Sequence, residues 1–227
     1  MNEGIQLKEK TNSGTTITKN DFLEKNGYLI IKNLYDEEEL YHPVPFERGT
    51  ITYFGKVTSY NHDPGNQLIP NSLQRINHPQ YKKIGDNIRL KIEKEVGKLC
   101  FYSSADRFYF DNHNLPAHLG DDRMEIGVMI PISNNLKEDW PVWVKTPDKY
   151  NDDKSAVLSV GENHSIVLEP GDGLIYKGCE RPIWRETIPT PRRRKRDWLL
   201  RRKEPQYYYH ELIFYYVLEF GARVHCI

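Results

Sequence analysis

The stretch Leu168–Gly178 reads LEPGDGLIYKG, a tight turn that leads directly into a short apolar run. Pro170, Gly171 and Gly173 are residues that turns require, and Leu174–Tyr176 has the length and character of a strand. The glycines superficially resemble a phosphate-binding loop, but their spacing is not that of a Walker A motif and no helical pattern follows. We therefore interpret this segment as a turn that enters a β-strand.

Short runs of the same kind recur through the second half of the chain, with turn residues between them. They are rich in β-branched or aromatic residues and comprise Phe101-Tyr102, Phe108–Phe110, Ile126–Ile132, Trp140–Val144, Ala156–Val160, Ser165–Leu168 and Leu212–Phe220. Many short strands separated by turns are typical of a sandwich or barrel rather than of alternating βαβ units. We predict a mainly β, jelly-roll domain with N-terminal helices.

The clearest helical pattern lies between Gln80 and Leu99. Its apolar residues recur at roughly helical spacing, with Lys and Glu between them, and include Ile84, Ile88, Ile92 and Val96. That pattern predicts an amphipathic helix with one apolar face. We expect the helix to support the β domain from one side.

Charge is unevenly distributed, although 32 Lys and Arg balance 32 Asp and Glu. Arg192–Lys203 holds 8 basic side chains and 1 acidic one, which leaves the rest of the chain acidic by 7. This excludes a uniformly basic nucleic-acid packaging protein but leaves a local segment that could contact a polyanion. A solvated loop is the alternative, although Trp198–Leu200 favours a segment that docks. We divide the chain into a flexible N-terminus (1–20) and one domain (21–227) with a basic insertion near 188–206.

Other patterns exclude several classes of protein. No run of about 18 apolar residues predicts a membrane-spanning helix, and the first residues lack the pattern of a signal peptide. Cys100, Cys179 and Cys226 are far apart and form no Cys-x-x-Cys pair, which argues against structural zinc and a disulfide framework and favours the cytoplasm. No Gly-x-Ser-x-Gly motif is present, so nucleophilic hydrolysis has little support.

Chemically versatile residues concentrate in Arg107–Glu125, where two histidines, several carboxylates and an arginine fall at a strand–loop–strand junction. Taken alone, a histidine in such a polar loop is more often a hydrogen-bonding residue than a metal ligand. The composition of this region therefore places the functional site here without defining its chemistry.

A longer series of residues carries a family resemblance. It comprises Phe22–Leu40 with Gly27–Ile31 at its centre, then Tyr102, Arg107, Tyr109, Leu115, His118, Glu125-Ile126, Trp140–Val144 and Leu168–Glu186. This series resembles the Fe(II)/2-oxoglutarate-dependent oxygenases, in particular the small single-domain type of bacteria and phages, over roughly residues 20–220. Its most specific part is Pro-Gly-Asp-Gly…Gly-Cys-Glu…Trp-Arg-Glu. The implied fold is a double-stranded β-helix, a cupin-like jelly roll, which agrees with the strand pattern.

The same resemblance implies Fe(II) and 2-oxoglutarate as cofactors if the chain is an active enzyme. These oxygenases hold iron with a His-x-Asp/Glu pair and a distal His, a facial triad that leaves positions open. His118 matches the first ligand, but Gly120 stands at the carboxylate position and Ile183 at that of the distal histidine. Only one of the three protein ligands is therefore present where the family has them.

Three explanations remain open. In an active hydroxylase, Asp121 or Asp122 would join His118 as shifted metal ligands, with His210 as the distal histidine. A glycine in place of the carboxylate also occurs in iron halogenases of this superfamily, but that chemistry needs both histidines. The third explanation, which we favour, is a domain that has kept the fold and lost iron chemistry, and that binds a small anionic ligand or a partner chain without a cofactor or catalyses a metal-free reaction. The sequence does not separate this explanation from a purely structural scaffold role.

Because 2-oxoglutarate requires a basic anchor for its distal carboxylate, the resemblance also directs attention to two arginines. Arg185 and Arg107 are the candidate anchors, with Tyr109 and Tyr176 as hydroxyl donors. In the alternative interpretation, the two arginines form a buried structural network with Glu125, Glu180 or Glu186. An active member would take a small-molecule or peptide substrate.

Overall fold

The computed structural model describes residues 19–36, 61–62, 69, 73–77, 79–189 and 207–221. The basic segment Arg192–Lys203 and residues 1–18 of the expected flexible N-terminus lie outside these ranges. The helices are α1 (Lys19–Asn26) and α2 (Pro79–Val96). The strands are β1 (Tyr28–Ile31), β2 (Asn61–His62), β3 (Leu73–Ile76), β4 (Leu99–Phe110), β5 (Leu115–His118), β6 (Ile126–Asn134), β7 (Val142–Lys145), β8 (Lys149–Tyr150), β9 (Val157–Ser159), β10 (Asn163–Ile166), β11 (Gly173–Lys177), β12 (Ile183–Arg185) and β13 (Tyr208–Leu218).

Two antiparallel sheets form the body of the domain. The larger has seven strands in the order β1-β11-β6-β13-β4-β3-β2, and the smaller has four in the order β10-β7-β12-β5. Strands β8 and β9 form a separate hairpin. Apolar side chains of both sheets, among them Met129, Ile213, Val144 and Ile183, pack into one buried cluster. The two sheets therefore face each other as a sandwich, as the strand pattern predicts.

The outer face of the large sheet is covered by the two helices. Ile84, Ile88 and Ile92 of α2 pack into a buried cluster with sheet residues such as Ile130 and Phe214. The predicted amphipathic helix is thus present, and its apolar stripe faces the sheet. Neither helix in the described ranges combines the length and apolar character that crossing a membrane would need.

Helix α2 is shorter than its apolar pattern predicts, because it ends at Val96 rather than at Leu99. Gly97 has a φ of 92°, a left-handed conformation that glycine adopts readily and that commonly terminates a helix. Leu99 is the first residue of β4 instead.

Strand β4 is a single strand of 12 residues where two short runs are expected. The polar residues that interrupt its apolar pattern include Asp106, which is fully buried. Tyr81 of α2 and His210 of β13 both bond to its carboxylate. Partners distant in sequence therefore satisfy a polar group that locally suggests a break.

Strands β5 and β12, which the apolar runs do not indicate, pair in the small sheet, with Ile183 opposite His118. Both are very short, and β5 contains Pro116 and an exposed Ala117. Such segments carry little local strand signal, so their pairing with neighbouring strands defines them.

Candidate functional site

A cavity of about 220 Å³ lies between the two sheets and is called the His118 cavity here. Its lining comprises Arg107, His118, Leu119, Gly120, Asp121, Met124, Tyr176, Ile183 and Tyr215. Strands β4, β11 and β13 of the large sheet contribute to this lining, as do β5 and β12 of the small sheet. The candidate site is thus built across the sandwich rather than within one loop.

The three positions that the family resemblance assigns to iron ligands meet at the His118 cavity. His118 and Ile183 are direct partners in the β5–β12 pair, and Gly120 follows two residues after His118. The three residues that the resemblance singles out are therefore neighbours in space. Only His118 carries a metal-binding atom among these three, so the residues present do not fit an iron triad.

His118 is held in one orientation by the backbone. Its Nδ1 lies 2.9 Å from the carbonyl oxygen of Pro116, and because a carbonyl only accepts, Nδ1 carries the proton. Burial lowers the pKa of His118, and backbone hydrogen bonds with Pro116 and Ile183 offset part of that effect. The ring is therefore mainly neutral at pH 7.

The position of Gly120 has no room for a side chain. A Cβ atom placed there would lie 2.8 Å from the Cβ of Met124 and 3.2 Å from the carbonyl oxygen of Gly178. The backbone N–H of Gly120 also donates to that same Gly178 oxygen, over 2.8 Å. Met124 and the Gly178 backbone thus fill the space that a carboxylate at this position would use.

The shifted carboxylates differ in where they lie. Asp121 lines the cavity but accepts a 2.7 Å hydrogen bond from the backbone N–H of Arg123 and a longer one from its guanidinium. Asp122 is exposed and is not part of the lining. Of the two candidates, only Asp121 shares the cavity with His118.

His210 lies on the opposite face of the large sheet. Its Nε2 atom bonds to Asp106 over 2.5 Å, and its ring stacks on Phe108 with 3.7 Å between ring centroids. Side chains alternate along a strand, so the next residue, Glu211, points to the inner face. The expectation that His210 replaces the distal histidine therefore does not hold.

Arg185, the first candidate for a carboxylate anchor, is already paired. Its Nη2 atom contacts Glu211 Oε2 at 3.0 Å and the Tyr209 hydroxyl at 3.2 Å, and its Nη1 atom donates to the carbonyl oxygen of Trp140. Arg185 and Glu211 are both buried. The structural-network interpretation is thus correct for Arg185, but its predicted partners Glu125, Glu180 and Glu186 are wrong. The partner is Glu211, a lone carboxylate in an otherwise apolar and aromatic run, which was the signal that could have revealed it.

Arg107, the second candidate, is buried without a carboxylate partner among the described residues. Its Nε and Nη2 atoms donate to Gln74 Oε1 at 3.3 Å and 3.2 Å, and its Nη1 atom donates to the Tyr109 hydroxyl at 3.4 Å. Tyr109 in turn donates to Glu211 over 2.6 Å and does not line the cavity. Of the two arginines, Arg107 therefore remains open to a ligand.

Two tyrosines complete the inner wall beside Arg107. Tyr176 and Tyr215 lie opposite Gly127 on either side of β6, and a Cβ atom at Gly127 would come within 2.3 Å of the Tyr176 ring. This glycine lets the two rings approach, and their hydroxyls share a hydrogen bond. Burial raises the pKa of both tyrosines, so both hydroxyls stay protonated and can donate.

The described ranges contain no group of three or more His, Cys, Asp or Glu side chains placed to hold a metal ion. The His118 cavity instead combines a buried guanidinium, a neutral imidazole and two phenols. Such a set binds negatively charged oxygen atoms.

The fold resembles those of several solved proteins. A prolyl-4-hydroxylase from Pseudomonas putida has a TM-score of 0.57 at 12% identity, over 88% of this chain and 96% of that chain. HygX from Streptomyces hygroscopicus, solved with nickel and 2-oxoglutarate bound, has 0.57 at 11%, over 88% and 85%. An oxidoreductase of the 2OG-Fe(II) oxygenase family from Burkholderia pseudomallei has 0.58 at 10%, over 94% and 96%.

No protein-family model matches this sequence, and no curated protein matches it. At identities this low, the structural likeness establishes the fold alone. The expected double-stranded β-helix is thereby confirmed.

Proposed function

We propose that this chain, which has the fold of the 2-oxoglutarate/Fe(II) oxygenases, has lost iron-dependent chemistry and binds a small anionic ligand in the His118 cavity. One observation carries the proposal. The positions expected to hold iron meet at a single cavity, and they present one imidazole, one glycine and one isoleucine. A facial triad needs three donor side chains.

The space around Gly120 supports the same conclusion. Met124 packs where a carboxylate at residue 120 would stand, so the packing leaves no space for that ligand. The first candidate for a co-substrate anchor is also occupied, because Glu211 neutralises Arg185 inside the domain. Loss of both the metal and the co-substrate contacts is consistent with a domain that keeps its cavity for binding only.

An active hydroxylase is the second candidate, and one observation favours it. Asp121 lines the same cavity as His118, so these two side chains could form part of a metal site if Asp121 released Arg123. Fe(II) and 2-oxoglutarate would be its cofactors, and a small molecule or peptide its substrate. This candidate needs a third donor from outside the described ranges.

Anaerobic addition of Fe(II) and 2-oxoglutarate to the purified full chain distinguishes the two candidates. We expect substoichiometric metal by elemental analysis and no visible metal-to-ligand charge-transfer band, because a single imidazole binds Fe(II) weakly. A clear band would overturn the proposal. If that band were lost in Asp121→Asn but kept in Asp122→Asn, the active hydroxylase with shifted ligands would replace it.

A reconstruction tests the geometric basis of the proposal. Gly120→Asp with Ile183→His restores two donors, and Met124→Gly removes the Cβ atom that a side chain at residue 120 would contact. We expect the triple variant to bind one equivalent of Ni(II) or Fe(II) and Gly120→Asp alone to lower stability without gaining metal. Equal metal affinity in the natural chain and the triple variant would contradict the assignment of these positions.

A further inference from the structure

Arg107 has an unusual electrostatic environment for a buried side chain. It is only 7% exposed, yet its partners in the described ranges, Gln74 and Tyr109, are both neutral. By contrast, the buried Arg185 pairs with Glu211. A buried charge is costly unless an opposite charge compensates it.

Positive charges outnumber negative charges in the interior of the sandwich. Arg107 and Arg185 contribute two positive charges, and Glu211 contributes one negative charge that it shares between Arg185 and the Tyr109 hydroxyl. At the rim, Asp121 is offset by Arg123. The interior is therefore short of one negative charge, beside Arg107.

The free donors of Arg107 suit a particular anion. A guanidinium has five N–H groups, and the three hydrogen bonds to Gln74 and Tyr109 leave one N–H on Nη1 and one on Nη2. Two N–H groups on the terminal nitrogens of arginine match the two oxygens of a carboxylate. The Tyr176–Tyr215 pair supplies one further hydroxyl proton, since only one of its two is used between them.

The remainder of the cavity is suited to an uncharged, largely apolar group. Leu119, Met124 and Ile183 line it, and no second unpaired cation does so in the described part of the chain. Its volume of about 220 Å³ is below the range usual for drug-sized ligands. Leu119, which is 51% exposed, places the opening at the end of β5.

We propose that the His118 cavity binds a small monocarboxylate, whose carboxylate pairs with Arg107 and whose apolar part contacts Leu119, Met124 and Ile183. The inference rests on the proposed anion-binding function and names its ligand class. It also separates this site from one for 2-oxoglutarate, because the second carboxylate of a dicarboxylate would find no free cation among the described residues that line the cavity.

Calorimetric titration of the full chain with three probes of equal length tests the ligand class. The probes are pentanoate, its neutral amide pentanamide and the dicarboxylate glutarate. We expect pentanoate to bind at least about 10-fold more tightly than either of the others. Tighter binding of glutarate would overturn the single-charge argument, and tighter binding of inorganic phosphate would overturn the choice of a carboxylate.

Variants then locate the site. Arg107→Gln should weaken pentanoate binding by about 10- to 100-fold, whereas Arg89→Gln, the same substitution on the surface of α2, should leave it unchanged. If Arg107→Gln does not fold, Tyr215→Phe keeps the charge and should weaken pentanoate binding about threefold through loss of one hydrogen bond. Unchanged pentanoate affinity in a folded Arg107→Gln variant would overturn the site. If Arg107→Gln does not fold, unchanged affinity in Tyr215→Phe would overturn it.

Metal binding and pentanoate binding test the loss of iron chemistry and the monocarboxylate site separately. A charge-transfer band with Fe(II) and 2-oxoglutarate would overturn the loss of iron chemistry. Absence of that band together with absence of pentanoate binding would overturn the monocarboxylate site alone.

Discussion

Glu211 pairs with only one of the two buried arginines, Arg185, and not with Arg107. Its carboxylate contacts the Arg185 guanidinium at 3.0 Å and accepts a hydrogen bond from Tyr109 at 2.6 Å. Trp140 and Tyr209 enclose the same guanidinium, each within 5 Å of its carbon atom. Glu211 thus fixes Arg185 as a structural residue and leaves Arg107 for the cavity.

Glu211→Gln should therefore destabilise the domain strongly. Removal of one partner leaves Arg185 buried without a compensating charge, which typically costs about 3–5 kcal/mol. Chemical denaturation followed by tryptophan fluorescence measures the change in the free energy of unfolding.

The matched control removes both charges. Arg185→Met combined with Glu211→Gln should cost less than the sum of the two single substitutions, since neither member of the pair then stays charged without the other. If the changes in the free energy of unfolding simply add, Arg185 and Glu211 do not act as a unit. A loss below about 1 kcal/mol in Glu211→Gln would contradict the burial of this charge pair.

At the scale of elements, the end of α2 depends on one backbone conformation. Gly97 adopts a φ of 92°, its N–H donates to the carbonyl oxygen of Glu93, and an added Cβ atom would meet nothing within 4 Å. Any cost of a side chain there is therefore conformational rather than steric crowding by neighbours.

Gly97→Ala should lower the free energy of unfolding by about 1–2 kcal/mol, the cost of a left-handed conformation for an ordinary residue. Gly97→Asn is the matched variant and should cost less, because asparagine tolerates this conformation better. Thermal unfolding measures both. Equal stability of the alanine variant and the natural chain would show that α2 can end differently.

Strand β13 illustrates how an element assigns roles to neighbouring residues. His210 and Glu211 are adjacent in sequence, yet one bonds to Asp106 on the helix-covered face and the other to Arg185 on the inner face. The alternation of a strand separates them by the thickness of the sheet. His210 is a suitable metal ligand by residue type, but it lies on the face of the large sheet opposite to the His118 cavity.

At the scale of the whole molecule, the sandwich assembles the His118 cavity from five strands that span Leu99 to Leu218. The large sheet contributes Arg107, Tyr176 and Tyr215, and the small sheet contributes His118 and Ile183. Neither sheet alone combines the guanidinium with the imidazole, so the cavity exists only when the two sheets pack together.

The distribution of charge over the whole chain leads to a further prediction. Arg192–Lys203 concentrates 8 basic side chains in a chain that is otherwise acidic. If this segment contacts a polyanion, binding of heparin should weaken steeply with salt and fall when the 8 basic residues are changed to Gln. Titrations at several salt concentrations measure both effects, and insensitivity to salt and to the substitutions would reject the contact.

The sequence by itself determined the class of the fold. Turn residues, strand-length apolar runs and helical spacing are local patterns, so Gly173–Lys177 and most of α2 could be predicted from them. The family resemblance also singled out His118, Gly120 and Ile183, which the structure brings to one cavity.

Only the tertiary structure decided which of the other candidates take part. Asp106 and His210 are 104 residues apart, and Arg185 and Glu211 are 26 apart, so strand register rather than local pattern pairs them. The same packing closes the space at Gly120 against Met124 and leaves Arg107 without a carboxylate partner in the described ranges. Charge compensation and free volume depend on which side chains meet across the two sheets, and that is fixed only when the sheets pack.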